Sequence, residues 1–349
     1  MSPADHQHQH PSDAPVTVSV LVPEPPLPIL AAITFFSVLG TAARLGLIAL
    51  HTYTQAPVLP GVYAQGVGCL LMGTIIEWKT RLLYRSSALY VGLSVGLCGS
   101  ITTFSSMMLW TYASFYHWPH IERSPFDDVL AGIGTLCICL LASSASFAIG
   151  QTWGRMLRMS RWTEPRDEQG RAVMLKTQRT AYFEFAAYTW LDCLFIAAGM
   201  LLLLAAILMA VFVPSSRSYT VACAIGPLGA ILRYYLSTFN FINARFPWGT
   251  FLANMLGTLV LAALFSVGHV HLALSSTACM FLAALSDGFC GCLTTVSTFI
   301  VELHSLRPID AHRYALLSIV LGLLIMVAAP GTLYWTHGPL TEQCGMPTA

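Results

Sequence analysis

Apolar residues in this chain run in long blocks rather than at alternating positions. The blocks lie near residues 28–52, 61–78, 87–116, 129–152, 190–213, 218–240, 247–268, 273–304 and 312–336. As helices, such blocks are long enough to cross a hydrocarbon layer about 30 Å thick. The clearest is 194–213, LFIAAGMLLLLAAILMAVFV, which carries no charge. The pattern predicts an all-α integral membrane protein with nine transmembrane helices. Between the blocks, residues 1–27 are rich in Pro, His and polar groups and are expected to be a disordered tail,. Residues 153–188 form a basic, polar linker, and residues 337–349 a second tail.

Composition agrees, with 56% hydrophobic and 9% charged residues in a chain of 349, far fewer charges than soluble domains carry. The charges that remain set an orientation. With the N-terminus on one side, the loops of that side hold Lys79, Arg81, Arg85, Arg155, Arg158, Arg161, Arg166, Arg171, Lys176, Arg179, Arg245, Arg307 and Arg313, and the other side only Arg123 and Arg217. Basic loops stay in the cytoplasm. The tail 1–27 and the linker 153–188 are therefore expected inside, and the tail 337–349 outside. No basic segment precedes the first block, so no cleavable signal is expected. Of the ten cysteines, nine lie in apolar segments and only Cys344 in a tail. No CxxC pair occurs, so they read as small buried residues rather than as disulfides or ligands. His6, His8 and His10 alternate in the first tail, without a further ligand to make a metal site,. No phosphate-binding loop or nucleophile–base set appears, so no enzyme is expected.

The chain also repeats itself. Residues 96–107 read GLCGSITTFSSM and residues 288–299 read GFCGCLTTVSTF, identical at six of twelve positions. LGTAAR at 39–44 matches LGAILR at 228–233, and in that register Gln65 falls on Asn254. The repeats are residues 28–152 and 214–336, four helices each, with a transmembrane linker helix at 189–213 left over. This is a 4+1+4 layout. A single extra crossing turns the second repeat upside down, and inverted repeats place an ion or substrate site at their interface. In each repeat the GxCGxxTT segment falls in the third helix. Its glycines and threonines weaken that helix, so each third helix is expected to be broken and buried between the repeats.

The doubled motif and the fused layout resemble the small bacterial fluoride channels, four-helix subunits that pair antiparallel, and their fused eukaryotic relatives, the fluoride export proteins. The resemblance covers residues 28–336 apart from the linker. It implies a passive channel that exports fluoride across the plasma membrane, working as a monomer that is an internal pseudo-dimer. It implies a fluoride path lined by Phe104, Phe299, Asn254, Thr250, Ser105, Ser297, Tyr314 and Ser318. A degenerate second path has Met107 and Val296 where the phenylalanines belong, Gln65 for the asparagine and Gly61 for the threonine; no Tyr-x-x-x-Ser pair occurs in 129–152. Which path Tyr314 and Ser318 join stays open at this point. The resemblance further implies a central structural sodium ion on the backbone carbonyls of Gly99, Thr102, Gly291 and Thr294, and a vestibule arginine on each first helix, Arg44 and Arg233.

Fluoride suits this residue set. Asn, Ser, Thr and Tyr donate hydrogen bonds, phenyl rings offer a positive edge, and the absence of Lys or Arg from the motif spans keeps binding weak enough for exit. The alternative is a proton-coupled anion transporter of the same architecture, which needs a titrating carboxylate at mid-membrane. Asp287, beside the second motif and aligned with Val95, is the one carboxylate so placed, and its role is open. Glu77, Asp192 and Glu302 fall at predicted helix ends and read as interfacial.

Overall fold

A computed structural model describes residues 17–18, 26–50, 61–116, 123–161, 174–175, 189–269, 274–337 and 344. His6, His8, His10 and most of the linker and tails lie outside these residues. The protein is helical. Seven of its helices are long and apolar enough to cross a membrane: α1 (Pro26–Ala49), α3 (Ser87–Phe115), α4 (Pro125–Leu157, helical on to Arg161), α5 (Trp190–Phe212), α7 (Trp248–His269), α8 (Ser276–Ser305) and α9 (Pro308–Gly331). The other two predicted stretches are helical as well. These are α2 (Gly61–Glu77), apolar but only 17 residues long, and α6 (Arg217–Leu236), with Pro227 in its interior.

Three expectations need correction. The 153–188 linker does not start at the end of the fourth helix, because α4 continues to Arg161. The first tail is not wholly without structure, since Thr17–Val18 pairs in parallel with Met174–Leu175 of the linker. The cysteines are not all buried thiols: Cys279 at the start of α8 is bonded to Cys344, and Cys137 and Cys193 are exposed. The pairing spans 65 residues, a separation at which sequence offers no guide to partners.

Small residues set the packing. Cβ atoms on Gly73 of α2 and Gly150 of α4 would run into the backbone of the facing helix, so these helices touch along their main chains,. Thr74 Oγ1 donates to Gly150 O at 3.1 Å across the same seam. The linker helix α5 packs against α1 and α6, the first helix of each repeat, and turns most of its surface outward.

Both third helices break as their sequence suggests. Each widens into a π-helical turn, Gly92–Cys98 in α3 and Leu285–Cys290 in α8, and then goes extended at the threonine pair,. The first threonine ends one half-helix: Thr102 N and Thr294 N donate to Cys98 O and Cys290 O. The second starts the next, with Thr103 Oγ1 accepting from Ser106 N and Thr295 Oγ1 from Thr298 N,. Two buried arginines hold the breaks crosswise. Arg233 of α6 donates to Gly99 O at 2.7 Å, Val95 O at 2.5 Å and, within its own repeat, Thr294 O at 3.1 Å. Arg44 of α1 donates to Ser100 O at 2.9 Å and to Asp287 O in α8.

Cβ atoms on Gly99 and Gly291 would overlap the guanidinium groups of Arg233 and Arg44, whereas one on Gly46, exposed on α1, meets nothing within 4 Å. Gly99→Ala and Gly291→Ala are therefore expected to uncouple a buried charge from its acceptors, at a cost of about 3–5 kcal/mol. Gly46→Ala should be neutral or stabilising by up to about 1 kcal/mol. Thermal unfolding of the purified protein in detergent checks this, and equal melting temperatures for Gly99→Ala and Gly46→Ala would remove the guanidinium from its structural role. For the disulfide, a maleimide mass tag should leave Cys279 and Cys344 unmodified until reductant is added; tagging without reductant would show the tail to be free.

Candidate functional site

Where the two breaks meet, six hydroxyls form a buried knot of two triads. Thr102 Oγ1 lies 3.0 Å from Ser297 Oγ and 3.2 Å from Thr295 Oγ1. Thr294 Oγ1 lies 3.0 Å from both Ser105 Oγ and Thr103 Oγ1. Ser297 N donates to Thr102 Oγ1 and Ser105 N to Thr294 Oγ1, so each repeat caps the other's second half-helix. Two amides close the remaining gaps. Asn254 of α7 accepts from Thr295 N at 2.9 Å and donates to Thr295 O at 3.3 Å. Gln65 of α2 does the same for Thr103, accepting at 3.3 Å and donating at 2.6 Å. Asn254 and Gln65 thus have the same first duty, giving partners to peptide groups that the break has freed.

Beyond the knot the two sides differ. The half-helix after each break packs against the other repeat, α3 on α7 and α9, and α8 on α2 and α4. On one side the Phe104 and Phe299 rings meet edge-on at 5.6 Å between centroids, and Tyr314 of α9 lies 5.1 Å from Phe299. Phe104, Phe299 and Tyr314 are fully buried. A Cβ on Gly322, one turn past Ser318, would meet Phe104. Tyr314 and Ser318 therefore join Phe104 and Phe299. The Ser318 hydroxyl is buried with no hydrogen-bond partner among the described residues. A polar group so placed is uncommon, and here it lies one helical turn along α9 from Tyr314.

One turn further along α8 lies a group that sequence reasoning set aside. Glu302, read as interfacial, is half-buried and organises the end of this side. Its Oε1 accepts from Thr250 Oγ1 at 2.5 Å and from Asn240 Nδ2 at 3.1 Å, and its Oε2 accepts from Tyr314 Oη at 2.8 Å. Asn240 in turn accepts from Thr250 N at 3.0 Å. The signal for Glu302 was faint: it stands three residues after Phe299, on the same helical face. On the other side, Met107 and Val296 are both fully buried and bring no ring.

The arginines and the metal expectation fare differently. Arg44 and Arg233 do not line an open vestibule; they are buried at 1% and 4% exposure against main-chain carbonyls. Of the four carbonyls expected to hold sodium, Gly99 O and Thr294 O both accept from Nη1 of Arg233. A fixed cation already sits between them, and the residues as placed do not fit a sodium ion bound by all four. Among the described residues no cluster of three His, Cys, Asp or Glu side chains offers another metal site. Asp287 gives its main-chain oxygen to Arg44 and stands apart from the Phe104–Phe299 side.

Comparison with known proteins covers both repeats. Residues 31–151 and 220–330 each match the CrcB-like protein, Camphor Resistance (CrcB) family. The chain is 32% identical to Fluoride export protein 1 of Neurospora crassa, over 89% of this chain and 67% of that one. It is 31% identical to Fluoride export protein 1 of Candida albicans, over 89% and 81%. It is 36% identical to Fluoride-specific ion channel FluC 2 of Streptococcus pneumoniae, over 29% of this chain and 75% of that one. No solved structure matches. The two matched stretches fall on α1–α4 and α6–α9, each around one broken helix, and the chain accordingly belongs to the CrcB-like family, with two copies of the family's unit joined in one polypeptide.

Proposed function

We propose that this protein is a passive fluoride channel of the plasma membrane, a monomer whose two repeats are inverted and which exports fluoride through one working path. The relatives carry channel and exporter names, and the family is not one of enzymes. The observation that carries the single path is the asymmetry about the knot. Phe104, Phe299, Tyr314 and the Ser318 hydroxyl, which has no hydrogen-bond partner among the described residues, converge on one side, while Met107 and Val296 fill the other.

The chemistry fits a small, tightly hydrated anion. Leaving water, fluoride needs replacement donors, since an unmatched charge is costly to bury. The Ser318 hydroxyl and the ring edges of Phe104 and Phe299 offer weak, successive contacts. No Lys or Arg stands among them to trap the ion. Export follows from weak-acid trapping. Hydrogen fluoride enters from acidic surroundings and ionises in a neutral cytosol, and the inside-negative potential drives the anion out through an open path. In this orientation the N-terminus is cytoplasmic and the C-terminus external. Loop charge supports it, and so does the Cys279–Cys344 bond, which belongs in an oxidising compartment,. A proton-coupled exchange would need a carboxylate on the path, and Glu302 rather than Asp287 is the one so placed.

Cells lacking the protein should be sensitive to fluoride and not chloride, more so at acidic external pH. Liposomes holding the purified protein should release fluoride at a rate indifferent to a pH gradient. A rate that follows the gradient would favour proton coupling, and equal release of chloride would end the fluoride reading. Removing one ring edge or donor from a dehydrated ion costs about 1–3 kcal/mol, a roughly ten- to hundredfold loss of flux. Phe104→Ile, Phe299→Ile and Asn254→Asp should each abolish growth on fluoride at matched expression. Met107→Ile and Val296→Ile should be tolerated. Equal damage from both sets would mean two working paths or a structural role for all these residues.

A further inference from the structure

The ringless side ends differently from its twin. In the register of the doubled motif, Trp110 stands where the second repeat has Glu302; in the register of the first helices, Gly61 stands where it has Thr250. In the second repeat these positions form a polar end, with Thr250 donating to Glu302. In the first repeat they form an apolar one. The six-membered ring of Trp110 lies on Gly61 so closely that any Cβ there would overlap it. Trp110 is 4% exposed. It follows Met107 by three positions, as Glu302 follows Phe299, so its indole covers the turn next to Met107 on the same face,. Its Nε1 has no hydrogen-bond partner among the described residues. A buried indole normally finds one, which points to selection for the ring's bulk over its polarity.

We propose that Trp110 is a fixed stopper. Seated on Gly61, its indole seals the second, ringless passage at the end away from the hydroxyl knot and keeps Met107 and Val296 dry. The proposal rests on the single-path reading above. It explains why Gly61 has no side chain: a threonine there would exclude the indole. It also gives the second side a task, since a passage stripped of its selective ligands but left open would leak small ions and dissipate the membrane potential.

The test is water access to a cysteine at the second side. In the full-length protein in detergent, Met107→Cys is treated with a cationic methanethiosulfonate reagent, and labelling is compared with the parent to account for the native thiols. With Trp110 present, Cys at this position should stay unlabelled. With Trp110→Ala it should label at least tenfold faster. Gly61→Ala, a milder change whose methyl must displace the indole, should do the same, and Trp110→Phe should keep the seal. Fluoride release through the Phe104–Phe299 side shows that each variant is folded. Labelling while Trp110 is in place, or none after its removal in a protein that still releases fluoride, would overturn the stopper. Phe299→Ile separates the two ideas: if it only halves fluoride release, the single-path reading fails, whatever the labelling shows.

Discussion

A membrane helix that stops in mid-course leaves N–H and C=O groups with no water to turn to, and each orphan costs several kcal/mol. This protein breaks two helices, so every element near its centre is bound by that cost. Arg44 and Arg233 supply guanidinium donors, Gln65 and Asn254 supply amides that both give and accept, and the threonine pairs cap what is left. Most of these bonds run between elements distant in sequence. The break in one repeat is completed by the other, so neither repeat would satisfy its own backbone alone. The glycines follow from the same constraint, because only a residue without a side chain lets a guanidinium reach the carbonyls of Gly99 and its neighbours.

The site inherits its shape from this arrangement. Once the half-helices are held, the residues just after each threonine pair must face the opposite repeat. Phe104 and Phe299 then meet across the interface although 195 positions separate them. Rigid support has a chemical benefit. On the proposed path, ring edges and hydroxyls fixed by packing are already oriented for an anion, and no reorganisation is required of them.

Much of this was legible in the sequence, and for identifiable reasons. Block length reported the helices, the doubled GxCGxxTT segment reported the two breaks, and the family resemblance implied that Phe104 and Phe299 share one path. What the sequence hid was everything set by contacts between distant segments. Glu302 looked interfacial because it stands near the end of a helix, yet its partners Thr250 and Tyr314 come from two other helices. Arg44 and Arg233 were expected in a vestibule because the family resemblance implied it. The carbonyls that bind them appear only once the helices are broken. Cys279 gave no hint of Cys344, since a tail's destination is not written in local pattern.

The linker helix α5, lying against α1 and α6 and mostly outward-facing, does little for the core. Its consequence is genetic. In a pair of identical subunits every substitution lands twice, so no position can specialise without its copy changing too. Joining two units through α5 makes each codon count once. One half could then keep a glutamate and a threonine while the other drifted to a tryptophan and a glycine. The fusion thus released the two halves from evolving in concert, and the unlike partners found at equivalent positions throughout this protein are the record of that release.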